Sequence, residues 1–387
     1  MFHRYTTVFF LLSIFAISGC QSTQVSSIKE QSLFHDSAFP SANEYAIESP
    51  HEIFALNSEA KTFVAKKLMH IEDPIDRMKT LMVSIFDRSD FNLLYDNQAN
   101  TVAAETFNKR AANCLSMSIM TYSLAKHAGV EVAFQEVDVP EYWTRREGFS
   151  LLNGHINLLM SPEEDTGRRF YIKPKGMVVD FYPFVAKKRF PQHEVGKQRV
   201  ISMFYNNKGA DALISQDFDK AYRYLRSAIN HDPEFESAWV NLGLLYRMSG
   251  HTDWAELAYN KVFSLNDDNL TAWENLAILY QSTGEQEKAE AIREKVETKR
   301  NNNPYYQFIR GEEALDAEDF EQALVYFRKA IRINDKKHQF YFGLAKSYAG
   351  LGDYTNSRYY LRKARRFADY QDEKQRYQSK LDLLASL

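Results

Sequence analysis

Apolar positions in the first half of the chain change from a helical to a strand-like spacing. From Ala55 to Gly129 they recur three and four residues apart, which predicts a series of helices, the last of which begins at Cys114. From Glu131 to Val179, short runs rich in Val and Phe alternate with polar residues and predict strands. Helices followed by strands are typical of an α+β domain in which a helix packs on a sheet. We therefore expect one such domain over residues 55–200.

The second half of the chain repeats with a period of 34 residues. Five units without a gap begin at Ser202, Glu236, Leu270, Pro304 and His338. A small residue stands at the eighth position of each unit: Gly209, Gly243, Ala277, Gly311 and Ala345. This pattern resembles the tetratricopeptide repeat (TPR), whose helix pairs bury their apolar faces by stacking on their neighbours. The resemblance implies an all-α superhelix over 202–235, 236–269, 270–303, 304–337 and 338–371, closed by a capping helix over 372–387.

Asparagine recurs at the sixth position of three successive units, as Asn207, Asn241 and Asn275. Their amides can pair with the backbone of a bound peptide, because each amide carries both donors and an acceptor. The concave face of such a stack is where a protein or peptide partner is expected to bind. Asparagine is also ordinary at this position of the repeat, so a binding ladder and a plain consensus residue both stay open.

An apolar run near the N-terminus predicts export. Arg4 precedes the run from Val8 to Ile17, which has the length of a secretory signal and is too short to span a bilayer. The following Ile17-Ser18-Gly19-Cys20 resembles a bacterial lipobox, which implies a signal peptide over residues 1–20 and a fatty-acyl anchor on Cys20. Gln21 in place of Asp implies the outer membrane. A plain cleaved signal is the alternative, and the Ser- and Gln-rich residues 21–54 predict a flexible tether.

Composition narrows the function classes. A formal net charge of −3 gives no basic surface for nucleic acid, and no further apolar run of the sequence is long enough for a bilayer. The spacing of cysteines and histidines suggests no metal site, and no glycine-rich phosphate loop indicates a nucleotide cofactor. The chain has only two cysteines, so if Cys20 carries lipid, Cys114 has no disulfide partner within the chain. An exported free thiol favours a chemical use for it.

Three residues supply candidate chemistry. Cys114 lies in the first turn of a predicted helix, where backbone N–H groups favour a thiolate; His155 lies on a predicted strand; and Asp180 ends another. This order resembles the transglutaminase-like, papain-related cysteine fold over about residues 73–183. The resemblance implies that Cys114 attacks an amide carbonyl, that His155 transfers the proton, and that Asp180 orients the imidazole. Taken singly, His155 is also typical of a buried strand histidine and Asp180 of a turn residue.

Two functions remain open on the sequence. The first is an envelope-anchored thiol enzyme, a peptidase, amidase or transamidase whose repeats recruit a substrate or partner. The second is an adaptor in an outer-membrane or polysaccharide assembly, in which the cysteine domain is only a scaffold. The free exported thiol favours the enzyme, and the repeats favour the adaptor.

Overall fold

The computed structural model describes residues 33–86, 91, 93–96, 99–137, 143–146, 149–152, 155–161, 176–181, 191–368 and 371–385. For residues 143–146, 149–152 and 372, only the backbone is described. The signal run, Cys20 and the first part of the expected tether lie outside the described residues.

The first half contains helices and a mixed set of strands, as the change of spacing predicted. Its helices are α1 (Pro50–Phe54), α2 (Ser58–Lys67), α3 (Pro74–Phe86), α4 (Ala103–Lys109) and α5 (Cys114–His127). Its strands are β1 (Leu94–Tyr95), β2 (Ala111–Ala112), β3 (Glu131–Val137), β4 (Trp143–Arg146), β5 (Phe149–Leu152), β6 (His155–Ser161), β7 (Met177–Val179) and β8 (Gln192–Val195). The short strands β1 and β2 pair in parallel, and β4 and β5 form an antiparallel hairpin.

Helix α5 is the centre of this half. Its N-cap Asn113 accepts a hydrogen bond from the backbone N–H of Ser116 at 2.9 Å, which satisfies one of the free N–H groups of the first turn. Every residue from Leu115 to Ala125 is buried, so the helix is enclosed on all sides and is more than a one-sided amphipathic helix. The ring of Tyr122 stacks on Phe134 of β3 at 4.4 Å, which fixes the helix against the sheet.

A four-stranded antiparallel sheet has the order β7-β6-β3-β8. In its register, Leu158 lies opposite Phe134 on one side and Val179 on the other. Side chains alternate between the two faces of a strand, so these three apolar residues share a face, while His155 and Asn157 share the opposite one.

The second half is a stack of helix pairs. The first helices of the pairs are α6 (Lys197–Ile214), α8 (Glu236–Met248), α10 (Leu270–Ser282), α12 (Pro304–Asp316) and α14 (His338–Gly350). The second helices are α7 (Phe218–His231), α9 (Thr252–Leu265), α11 (Gln286–Asn301), α13 (Phe320–Ile333) and α15 (Tyr354–Phe367), and α16 (Gln371–Ala385) follows. Helices α8, α10, α12 and α14 begin at the residues that open the second to fifth units, whereas α6 begins at Lys197, ahead of Ser202.

The eighth-position glycines lie where the two helices of a unit meet. A Cβ added at Gly243 would overlap the ring of Tyr259, which is the twenty-fourth residue of the same unit. Gly209 has the same relation to Leu225, and Gly311 to Phe327. A side chain at these positions would force the helices apart, so the small residue sets their separation.

Residues 33–54 differ from the flexible tether that composition predicted. They form short 3₁₀ helices (Asp36–Ala38 and Pro40–Glu44) and α1, and Leu33, Phe39 and Ile53 are buried. The Ser- and Gln-rich composition did not indicate these widely spaced apolar residues, of which Phe39 packs on a repeat helix, while the neighbouring Phe54 of α1 packs on α5.

One hydrophobic core runs from Leu33 through α5 and the sheet to Val296, and thus joins the first half to the first three repeats. Two smaller clusters lie in the last two repeats and the capping helix. Over the described part of the chain, no helix is both long enough and apolar enough to cross a membrane.

Candidate functional site

The structure brings Cys114, His155 and Asp180 together. The Nε2 atom of His155 lies 2.8 Å from each carboxylate oxygen of Asp180, and both side chains are almost wholly buried. The imidazole also forms a hydrogen bond with Cys114. Because Nε2 faces Asp180, Nδ1 is the nitrogen left for the sulfur. Cys114 is a free, partly buried cysteine, so the three side chains form a line of contacts from sulfur to carboxylate.

Strand register explains how His155 and Asp180 meet. Val179 lies opposite Leu158, so the next residue, Asp180, falls beside Asn157 and on the same face as His155. The ladder between β6 and β7 thus fixes which residues of the two strands face each other.

Cys114 is held by the capping arrangement at the start of α5. The backbone N–H of Asn113 donates to the carbonyl oxygen of Ala99 at 3.0 Å, and that of Thr101 donates to the hydroxyl of Ser116 at 2.8 Å. The amide of Asn100 donates to the carbonyl oxygen of Phe204 on α6 at 3.0 Å. The loop before the cysteine is therefore bonded both to α5 and to the first repeat.

The surroundings of His155 favour its protonated form. Burial by itself lowers the pKa of His155, but the hydrogen bonds to Asp180 and to Cys114, with the negative charges of both partners, outweigh it and raise the pKa to about 9. At neutral pH the imidazole therefore carries a proton on each nitrogen. Such a group stabilises a neighbouring thiolate and can later protonate a leaving amine.

Asn157 is a polar neighbour of the site that the sequence analysis did not single out. Its Nδ2 donates to Asp180 Oδ2 at 3.3 Å and to Gln192 Oε1 on β8 at 3.1 Å. Its position two residues after His155 on a strand was the available signal, since such residues share a face. Across the described ranges, no group of three His, Cys, Asp or Glu side chains could hold a metal ion.

The three repeated asparagines have different surroundings. The buried amide of Asn241 donates to Asn206 Oδ1 at 2.8 Å, and that of Asn275 donates to the carbonyl oxygen of Thr271 at 3.0 Å. Asn207 is only partly buried. The partner of Asn241 in the first unit is therefore Asn206, whereas the 34-residue spacing pointed to its neighbour Asn207.

Comparisons with known proteins bear on the helical half. Residues 310–372 match the tetratricopeptide repeat family model. Together with the stacked helix pairs, this match makes the second half of the chain a superhelix of TPR units. No curated protein matches the chain.

Several solved structures show distant similarity. The alignment with pilF of Pseudomonas aeruginosa is 18% identical, covers 46% of this chain and 80% of that one, and has a TM-score of 0.26. MamA is 19% identical over 46% of this chain and 95% of its own, with a TM-score of 0.24. YrrB, described as a TPR protein with an unusual peptide-binding site, is 13% identical over 46% and 92%, with a TM-score of 0.24. At these values, nothing about the function of these proteins transfers to this chain.

Proposed function

We propose that this protein is a thiol-dependent amide-processing enzyme, a peptidase, amidase or transamidase of the transglutaminase-like class, whose TPR units recruit a substrate or partner. The supporting observation is the position of the His155 imidazole between Cys114 and Asp180, three residues that lie far apart in the sequence. Cys114 attacks the amide carbonyl and forms a thioester, and His155 protonates the departing amine. Asp180 holds the imidazole so that Nδ1 faces the sulfur.

The acceptor of the acyl group defines the subclass. Water releases a carboxylic acid and gives a peptidase or amidase, whereas a primary amine forms a new amide and gives a transamidase. Both outcomes use the same three residues.

We propose further that the protein is a lipoprotein of the bacterial envelope, anchored in the outer membrane through Cys20. The support is the sequence Ile17-Ser18-Gly19-Cys20 followed by Gln21. Radiolabelled palmitate incorporated into the native chain, and lost from Cys20→Ser, is the expected result; equal incorporation by the two chains contradicts the anchor.

A second candidate is a TPR adaptor lipoprotein in an outer-membrane or polysaccharide assembly, with an inactive cysteine domain. The TPR match over residues 310–372 favours it, since such repeats bind proteins or peptides and perform no chemistry.

Labelling of the thiol separates the two candidates. We expect iodoacetamide to modify Cys114 faster than free cysteine at pH 7, and His155→Ala to remove the difference. His193→Ala is the matched control, because His193 is more than half exposed on β8 and lies near Glu136, outside the triad. Equal labelling of the native chain and of free cysteine argues for the adaptor.

A cellular test complements the labelling. Cys114→Ser removes the thiol nucleophile and leaves the repeats unchanged. If this variant fails to replace the native chain in cells that lack it, the failure supports the enzyme. An unchanged phenotype with Cys114→Ser supports the adaptor. A point variant is preferable to removal of residues 202–387, because the core of the first half continues into the first repeats.

A further inference from the structure

A segment of the chain itself lies on the first two repeats. Residues 33–48, called here the N-terminal segment, run along a surface made by α7, α8 and the start of α9. We call this the aromatic surface and define it by Tyr222, Arg226, Trp239, Tyr246 and Trp254.

Ring stacking supplies the apolar contacts. Phe34 stacks on Trp239 at 6.0 Å, and Phe39 stacks on Tyr222 at 4.5 Å. Between them along the chain, His35 stacks on Trp254 at 3.7 Å with nearly parallel planes. Each of these side chains thus has a flat partner on a repeat helix.

Polar contacts fix the register of the segment. Asp36 accepts a hydrogen bond from the hydroxyl of Tyr222 at 2.8 Å and pairs with Arg226 at 2.8 Å. The hydroxyl of Tyr246 donates to the backbone carbonyl of Leu33 at 2.8 Å. The Arg226 guanidinium also lies over the ring of Phe34, so one cation serves both an acidic and an aromatic residue of the segment.

The far end of the segment is held in the same manner. Tyr224 donates to the carboxylate of Glu48 at 2.9 Å, and Lys208 pairs with that carboxylate at 3.1 Å. The segment, which contains two 3₁₀ turns, is thus bound as a short peptide would be on a repeat surface, through both aromatic and charged side chains.

The docking has one weak point. The Nε2 atom of His35 is buried and has no hydrogen-bond partner, and His251 stacks on Trp254 at 4.0 Å. Protonation of His35 would bury a new N–H donor with no acceptor beside it. The segment is therefore well packed, but one of its buried polar atoms, Nε2 of His35, has no hydrogen-bond partner.

We propose that the aromatic surface is a peptide-binding site and that residues 33–48 are its resident ligand, displaced by a partner segment of the same chemistry. That chemistry is a short peptide able to form a 3₁₀ turn, with two aromatic residues five positions apart and an acidic residue between them, as in Phe34, Asp36 and Phe39. The inference rests on the proposed recruitment role of the repeats and does not depend on the thiol.

Tethering sets the conditions for displacement. A segment joined to its own site acts at an effective concentration on the order of millimolar, so a partner competes only if it binds more tightly or if docking is weakened. The native chain should therefore exclude a free copy of the segment, and a chain with a weakened segment should accept it.

The test uses a labelled synthetic peptide of residues 33–48 and the full chain with Asp36→Arg and Phe39→Ala, with binding followed by fluorescence anisotropy. We expect the variant to bind the peptide at least about tenfold more tightly than the native chain does. A peptide carrying Asp36→Arg should bind poorly to the variant chain, because its new cation faces Arg226. Adding Arg226→Asp to the variant chain reverses the charge of that partner and should restore binding of the Asp36→Arg peptide. A folded variant that binds no peptide, or binds both peptides equally, overturns the proposal.

A second measurement covers a variant that does not fold. A protease site inserted between residues 48 and 49 of the native chain allows cleavage after folding, so that the segment is held by non-covalent contacts alone. Exchange of the cleaved segment for labelled peptide supports the proposal, and a segment that never exchanges while the rest stays folded overturns it. The rate of Cys114 labelling, measured on the same sample, reports separately on the proposed enzyme.

Discussion

At the scale of single residues, the candidate site depends on a balance at His155. Burial disfavours a charged imidazole, while the two partners on either side of it favour one. The carboxylate of Asp180 is the partner that can be altered without touching the sulfur. Its removal should therefore leave the nucleophile in place and change the protonation and the orientation of the imidazole.

We predict that Asp180→Asn slows the alkylation of Cys114 at pH 7, by about tenfold for each unit that the pKa of His155 falls below 7, since the protonated fraction of the imidazole then drops by that factor. The substitution removes a hydrogen bond to a charged acceptor and leaves the burial, so the pKa of His155 falls. The pH profile of iodoacetamide labelling checks this. Asp76→Asn, an exposed aspartate paired only with Lys79 among the described contacts, is the control and should leave the profile unchanged.

At the scale of secondary-structure elements, the repeats depend on close approach of their paired helices. In three units the eighth-position residue is glycine, and the twenty-fourth residue of the same unit occupies the space that a Cβ would need.

We predict that Gly243→Ala lowers the free energy of unfolding by about 2 kcal/mol, because the new Cβ overlaps the Tyr259 ring within a well-packed helix pair. Chemical denaturation followed by circular dichroism measures this. Gly196→Ala is the control, since no atom outside its neighbours lies within 4 Å of an added Cβ and its φ of −76° suits any residue. Equal effects of the two substitutions contradict the packing argument.

The N-terminal segment gives a second prediction at this scale, on its dependence on pH. Burial lowers the pKa of His35 below its ordinary value of 6.5, and the charge of His251 acts in the same direction, whereas Asp36 opposes them. A depressed pKa means that docking is stabilised above about 6.5 and loses this stabilisation as the pH falls through the lowered value. The other polar groups of the repeats that bond to the segment are Tyr205 and Lys208 on α6, Asp217 just before α7, Asp219, Tyr222, Arg223, Tyr224 and Arg226 on α7, and Tyr246 on α8.

We predict that amide protection of residues 36–44 falls between neutral and acidic pH in the native chain, measured by hydrogen exchange and expressed as protection factors. His35→Phe keeps the stack on Trp254 and removes the titrating group, so its protection should change less. If the two chains lose protection in parallel, His35 is not the titrating group responsible.

At the scale of the whole molecule, the hydrophobic core does not end where the first half of the chain meets the TPR units. A continuous core joins α5, the sheet and the first three repeats, and the amide of Asn100 bonds across to Phe204 on α6. The last two repeats and α16 have separate clusters. Elements that share a core unfold together, whereas separate clusters can open alone.

We predict that amides in α12 to α16 exchange at lower denaturant concentration than those in α5 and α8. Hydrogen exchange by mass spectrometry in low denaturant resolves the two groups. A single shared midpoint for all of these helices contradicts this prediction and indicates one cooperative unit.

The sequence by itself determined the elements whose signals are local or periodic. The repeat period located the starts of α8, α10, α12 and α14, and Gly129 marked the end of α5, because a glycine stop acts within a few positions of the helix end. Cys114, His155 and Asp180 were also identified from the sequence, through their order along the chain and its resemblance to a family.

Contacts between distant residues were decided only by the tertiary structure. The docking of residues 33–48, the bond of Asn157 to Asp180 and the choice of Asn206 as the partner of Asn241 each join residues with no periodic relation. The same holds for the continuous core that joins the two halves. Such contacts depend on which surfaces meet after the helices and strands have formed. The pattern of apolar residues along one element shows that one of its faces is buried, but it does not show which other element covers that face.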